Sequence, residues 1–226
     1  MTVKTNARLA GFTFLFYIAA GITSMVVHGR ATAGVGIAAK LATIAAHAAD
    51  LRLVALLTVL TTLSALTLGV TLYALTREQD RDLAMLALTC RIVEGVNGAT
   101  SIPSLLRLLS LATLAGANAT DTAAAHALGR VLLTGEGGSI SAIFFAVGST
   151  LFCWLLLRGR LIPTPLAWLG VAASVLLVIA LPLQFARLLP ASMNWFIWIP
   201  MLAFEVPFAL WLLIRGVTVR ANVQRT

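Results

Sequence analysis

Six nearly uninterrupted apolar stretches, each about as long as a bilayer crossing, constrain this chain more than any other feature. A hydrocarbon core of about 30 Å takes about 20 helical residues. Runs at about 9–27, 53–76, 83–106, 131–157, 166–188 and 195–214 meet that length. Backbone inside lipid must satisfy its own polar groups, so such runs fold as helices. The expected fold is all-α: a polytopic bundle of six transmembrane helices forming a single integral membrane domain over 1–226. Hydrophobic residues make up 60% of the chain and charged residues 11%. A soluble domain of this size has too little interior to hide that much apolar surface.

The charges that do occur mark the ends of the runs. Lys4 and Arg8 precede the first, which resembles a signal peptide in layout but is longer than a secretory core of about 7–15 residues. With five further spans behind it, it reads as an uncleaved first helix. With the N-terminus inside, Lys4, Arg8, Arg77, Arg81, Arg158, Arg160, Arg215, Arg220 and Arg225 are cytoplasmic. Arg30, Lys40, Arg52, Arg107, Arg130 and Arg187 are then outside, and Arg91 lies within a span. The bias has the sign of the positive-inside rule, so both termini are expected in the cytoplasm. The formal charge of +8 is spread over these loop ends, with no basic stripe interleaved with aromatics. Membrane lipids are therefore the expected partner, and nucleic acid is not.

The loops add little chemistry. Ile37, Leu41, Ile44 and Ala48 recur at helical spacing opposite Lys40 and His47, the pattern of a short helix on the membrane surface. Asn118-Ala119-Thr120 matches a glycosylation sequon, a three-residue pattern that chance often produces. Cys90 and Cys153 fall inside apolar runs with no ligand spacing between them, as small apolar residues do. His28, His47 and His126 all fall on the outer side, but their spacing fits no metal motif. No metal or other cofactor is implied, and no serine-hydrolase, phosphate-loop or dinucleotide pattern is present.

The informative residues are the ionisable ones inside the spans. Arg91 and Glu94 stand three apart on the third run, on one helix face, so they can pair directly. Counted from Leu83, Arg91 lies roughly 12 Å and Glu94 roughly 16 Å into the membrane; Glu205 lies roughly 15 Å from Arg215. An unpaired charge there costs at least about 2.5–3.5 kcal/mol. The three are expected to converge inside the bundle, with Asn97 from the same run counted among them. Pro200 and Pro207 flank Glu205 and either kink its helix or free carbonyls along a cavity. Glu136, in Gly135-Glu136-Gly137-Gly138, is either a headgroup-level residue or the roof of the same cavity. Gly138, Ala142 and Ala146 form a small-residue ladder that reads as a packing seam.

The order of these features resembles a family of bacterial multi-pass membrane proteins catalogued as domain of unknown function 4386. The resembling pieces are Arg8-Leu9-Ala10-Gly11, Cys90-Arg91-Ile92-Val93-Glu94, and the segment from Leu155 through Arg158-Gly159-Arg160-Leu161-Ile162-Pro163. Glu205, followed by Ala209-Leu210-Trp211-Leu212-Leu213-Ile214-Arg215-Gly216, completes them. The resemblance implies a one-domain integral protein of the bacterial cytoplasmic membrane and carries no catalytic residues with it.

Two readings of the charged cluster fit. It is the polar floor of a ligand cavity, with Arg91 as an anion or carbonyl clamp and Glu94 or Glu205 as a proton carrier or acceptor. Otherwise it is a buried structural network that fixes helix register. The first leads to the expected function: binding of a lipid or lipophilic small molecule between the third, fourth and sixth spans. An intramembrane enzyme on a lipid or isoprenoid-like substrate, using Glu94 or Glu205 as acid or base, is the alternative. A transporter of a small solute or proton is a further one. An assembly subunit, packing through its small-residue seams against another membrane protein or a copy of itself, is the last.

Overall fold

The computed structural model describes residues 2–117, 122–133, 137–190 and 193–217. Those residues form nine helices and no strand: α1 (Val3–Ala31), α2 (Ile37–Ala46), α3 (Ala48–Thr76), α4 (Arg81–Ala99), α5 (Ser101–Ala117), α6 (Thr122–Leu133), α7 (Gly137–Arg158), α8 (Thr164–Phe185) and α9 (Asn194–Ile214). By length and composition α1, α3, α7, α8 and α9 can cross a membrane. Their surfaces carry exposed large apolar side chains, among them Phe12, Leu56, Val70, Trp168, Ile179 and Ile214. Helices apolar on all sides, with such residues outward, suit lipid and not water.

Four expected runs overlap α1, α3, α8 and α9, and the third differs. The third, expected to continue from 83 to 106, stops at Ala99 as α4; after Thr100 a separate helix, α5, begins at Ser101. On the fourth run, expected over 131–157, the described residues belong to the end of α6 and to α7, and residues 134–136 lie outside them. Hydropathy bridged the break at Thr100 because apolar residues continue on each side of it. At 19 residues, α4 is long enough to span, but it holds Arg81, Asp82, Arg91 and Glu94.

The chain divides into two compact units. The first comprises Met1–Leu15, Ala65–Glu94 and Ala142–Thr226; the second comprises Phe16–Ser64 and Gly95–Ser141. In the first, α8 packs on α9, and Phe14 meets Phe208 edge-on at 5.8 Å while Phe208 stacks on Phe204 at 5.0 Å. Close approach of α1 and α9 explains the Ala10-Gly11 motif. A Cβ at Gly11 would lie 2.6 Å from the Ala209 carbonyl oxygen and from the Leu213 amide nitrogen, so only glycine fits.

The Arg158–Pro163 motif has a similar origin at one end of this unit. Gly159 lies where any Cβ would come within 2.6 Å of the Gln79 side chain, and Arg160 turns the chain with φ 49°. Pro163 then stands just ahead of α8. Asp80 accepts a hydrogen bond from the Leu83 amide at 3.2 Å, capping α4, and its other oxygen pairs with Arg158 at 3.2 Å. Arg158, expected as a headgroup anchor, is thus half committed to a carboxylate.

The second unit is built from shorter helices. Here α5 packs on α2 and α6, and α2 also touches α6. Their core holds Ala31, Leu41, Ile44, Leu51, Leu108, Leu109 and Ala112. The short helix expected from the stripe of Ile37, Leu41, Ile44 and Ala48 does form. Its stripe is used differently: Leu41 and Ile44 are buried in protein, not turned to lipid.

Candidate functional site

Arg91 is among the most deeply buried large side chains of the protein, 2% exposed. Its Nη1 lies 2.8 Å from Glu94 Oε2, one helical turn along α4, and both side chains are almost wholly enclosed. The guanidinium also sits 5.0 Å above the centroid of the Phe145 ring on α7, a contact that strengthens when water is excluded. Two glycines make the room. A Cβ at Gly69 on α3 would stand 3.0 Å from Arg91 Cβ; one at Gly148 on α7 would stand 3.1 Å from Cys90 Cβ and 3.5 Å from Arg91 Cδ. A long cation enters an apolar bundle here because its neighbours give up their side chains.

Glu205, from the middle of α9, is buried and interacts electrostatically with both Arg91 and Glu94. Arg91 and Glu94 from α4 and Glu205 from α9 thus lie within electrostatic range of one another. No protein group hydrogen-bonds Glu205 Oε1 among the described residues. The two thiols, Cys90 and Cys153, are free and buried, facing the fields of Glu94 and Glu205 respectively. Pro200 and Pro207 lie within α9, which runs unbroken from Asn194 to Ile214. Asn97, three residues beyond Glu94 on α4, falls in the second unit, and its backbone carbonyl accepts from the Thr100 hydroxyl at 2.6 Å. Glu136 and the sequon at Asn118 lie outside the described residues, and Gly138 stands in the first turn of α7.

The space beside Arg91 is small. A cavity of about 20 Å³ opens there, with Ser149, Cys153, Met201 and Phe204 also on its wall. That volume holds about one water. Phe14, Phe152 and Phe208, with Leu68, Leu72 and Leu156, make up the rest of its wall.

The larger space lies in the second unit. It is a cleft of about 350 Å³ whose polar wall is His28 of α1, Thr58 of α3, Thr100, and Ser101 and Ser104 of α5. Val54, Leu105, Leu108, Leu132 and Leu133 supply its apolar wall. None of these ten residues is among the ones expected to form the site. Periodicity hides such a lining, since serines and threonines in apolar helices are commonplace. Gly69 and Gly148 were more accessible to inference. They stand eight residues before Arg77 and ten before Arg158, roughly 12 and 15 Å from those ends, near the depth of Arg91.

Long apolar helices with lipid-facing surfaces, enclosing a buried Arg–Glu pair and a third carboxyl, define a polytopic α-helical membrane protein. The family follows from comparison. The chain belongs to the family described as domain of unknown function (DUF4386), whose model matches residues 9–216. Comparison with curated proteins and with solved structures gives no match.

Proposed function

We propose that this is a six-span protein of the bacterial cytoplasmic membrane, a single domain with both termini inside, that binds a lipophilic small molecule in the cleft between α1, α3, α5 and α6. The observation that carries this reading is the cleft's volume, about 350 Å³, with hydroxyl and imidazole groups on one side and leucines on the other. Ligand pockets start at about 300 Å³ and combine an apolar wall with a few polar groups. A cleft at the small end of that range suits one short chain with a polar end, not a two-chain phospholipid. The Arg91–Glu94–Glu205 cluster then serves as the charged keystone of the first unit, consistent with its tight enclosure. An enzyme acting on a lipid at Glu94 or Glu205 draws no support from a cavity that admits one water.

The test is Ser104→Trp, which fills the cleft from an exposed position of α5. Wild-type protein released gently from membrane and examined by native mass spectrometry should carry a lipophile that the variant lacks. Equal retention of the same molecule by both proteins would remove the cleft as its site.

A further inference from the structure

The hydrogen bonds already made within the cleft specify the chemistry of its ligand. Thr58 donates its hydroxyl proton to the Val54 carbonyl at 2.8 Å. Thr100 donates to the Asn97 carbonyl at 2.6 Å, and Ser101 to the Gly98 carbonyl at 2.7 Å. A hydroxyl has one proton and two lone pairs. With the proton committed to its own helix, each of the three presents lone pairs to the space in front of it. Each of these bonds is a second one to a backbone carbonyl, and turning the proton towards a ligand would give it up, so the committed arrangement is favoured where the ligand brings a proton of its own.

The wall therefore accepts hydrogen bonds at three places. No Lys, Arg, Asp or Glu lines the cleft among the described residues, so nothing there compensates a full charge on a ligand. A carboxylate or phosphate would meet three sets of oxygen lone pairs with no lysine or arginine to offset them. A ketone or ether accepts from Ser104 or His28 but has no proton to give the oxygens of Thr58, Thr100 and Ser101. An alcohol donates to one of these oxygens and still accepts from Ser104 or from the neutral ring of His28, which offers one donor and one acceptor.

We infer that the cleft recognises a neutral, hydroxyl-bearing lipophile: a single-chain alcohol whose O–H donates to the oxygens of Thr58, Thr100 and Ser101, while its chain lies against Val54, Leu105 and Leu108. This rests on the cleft being the ligand site, as proposed above, and adds the class of ligand.

Three photoactivatable ten-carbon probes test it on the full chain in lipid nanodiscs: decanol, its methyl ether, and decanoate, each with a diazirine on the chain. Labelled peptides are mapped by mass spectrometry. Decanol should label the segments around 54–58 and 100–108 about fivefold more than the ether, the worth of one hydrogen bond, and decanoate less than either. Thr58→Val, which keeps the shape and removes the acceptor, should bring decanol down towards the ether. Equal labelling by alcohol and ether, or strongest labelling by decanoate, overturns the assignment of ligand class and leaves the cleft as a site. Absence of labelling at those segments by all three probes overturns the site itself. If Thr58→Val fails to fold, the alcohol-to-ether ratio on the wild-type protein still decides.

Discussion

Replacing Arg91 should damage the protein more than replacing its ion-pair partner, and the asymmetry measures the role of Glu205. The Arg91–Glu94 contact is 2.8 Å long between side chains 2% and 5% exposed, so solvent does little to screen it. Removing one partner of such a pair costs about 3–5 kcal/mol, because the other charge stays buried. Arg91→Met keeps most of the volume but takes the cation from two carboxylates at once, since Glu205 also lies in its field. The full cost is expected, about 4 kcal/mol. Glu94→Gln leaves Arg91 with Glu205 as counter-charge and with the Phe145 ring, so about 1–3 kcal/mol is expected. For a chain of this length, 1 kcal/mol moves the midpoint by about 2–4 °C. Thermal unfolding of detergent-solubilised protein, followed by thiol-reactive fluorescence at Cys90 and Cys153, should show Arg91→Met lower by about 10 °C and Glu94→Gln by about half as much. A Glu94→Gln variant as unstable as Arg91→Met would show that Glu205 does not balance Arg91, and the keystone role of the three-residue cluster would fall.

Gly148→Ala should cost about 1–3 kcal/mol, because its Cβ meets Cys90 at 3.1 Å and the Ala87 carbonyl oxygen at 3.3 Å. Gly21→Ala, with nothing within 4 Å, should be neutral or stabilising by up to about 1 kcal/mol; the same unfolding assay compares the two. Arg158→Gln should cost under about 1 kcal/mol, since its pair with Asp80 is substantially solvated. Asp80→Ala should cost about 1 kcal/mol more because it also uncaps α4, and 1 M salt should erase the effect of the first variant but not that of the second. Ile44→Ala, at a fully buried position, should cost about 2–4 kcal/mol. Its faster amide exchange should be confined to α2, α5 and α6, and equal loss of protection in α8 and α9 would contradict a second unit with its own core.

Helix ends were readable where charge punctuates the chain. Arg77 to Asp82 closes α3 and opens α4, and Arg158 to Pro163 separates α7 from α8. Between 99 and 137 that punctuation fails. Apolar content alone cannot distinguish a helix that crosses lipid from one that packs on protein. The period can: Leu105, Leu108, Leu109 and Ala112 stand at helical spacing on α5 and face the second unit's core, whereas α3, α7 and α8 are apolar all round. The convergence of Arg91, Glu94 and Glu205 was readable for an energetic reason, since none can be left alone at that depth.

A convergence of charges need not enclose room for a ligand, for a physical reason that bears on membrane proteins generally. An intramembrane charge must be neutralised, and the groups that neutralise it also occupy the space around it. At Arg91 a carboxylate sits at 2.8 Å and an aromatic ring at 5.0 Å, leaving about 20 Å³. Hydroxyl groups impose no such demand. A threonine satisfies its proton on its own helix, as Thr58 does on Val54, and needs nothing packed against it. Space can therefore persist in front of a wall of serines and threonines where it cannot persist in front of an arginine. In this fold the most conspicuous polar residues hold the first unit together, and the inconspicuous ones border the room a ligand would need.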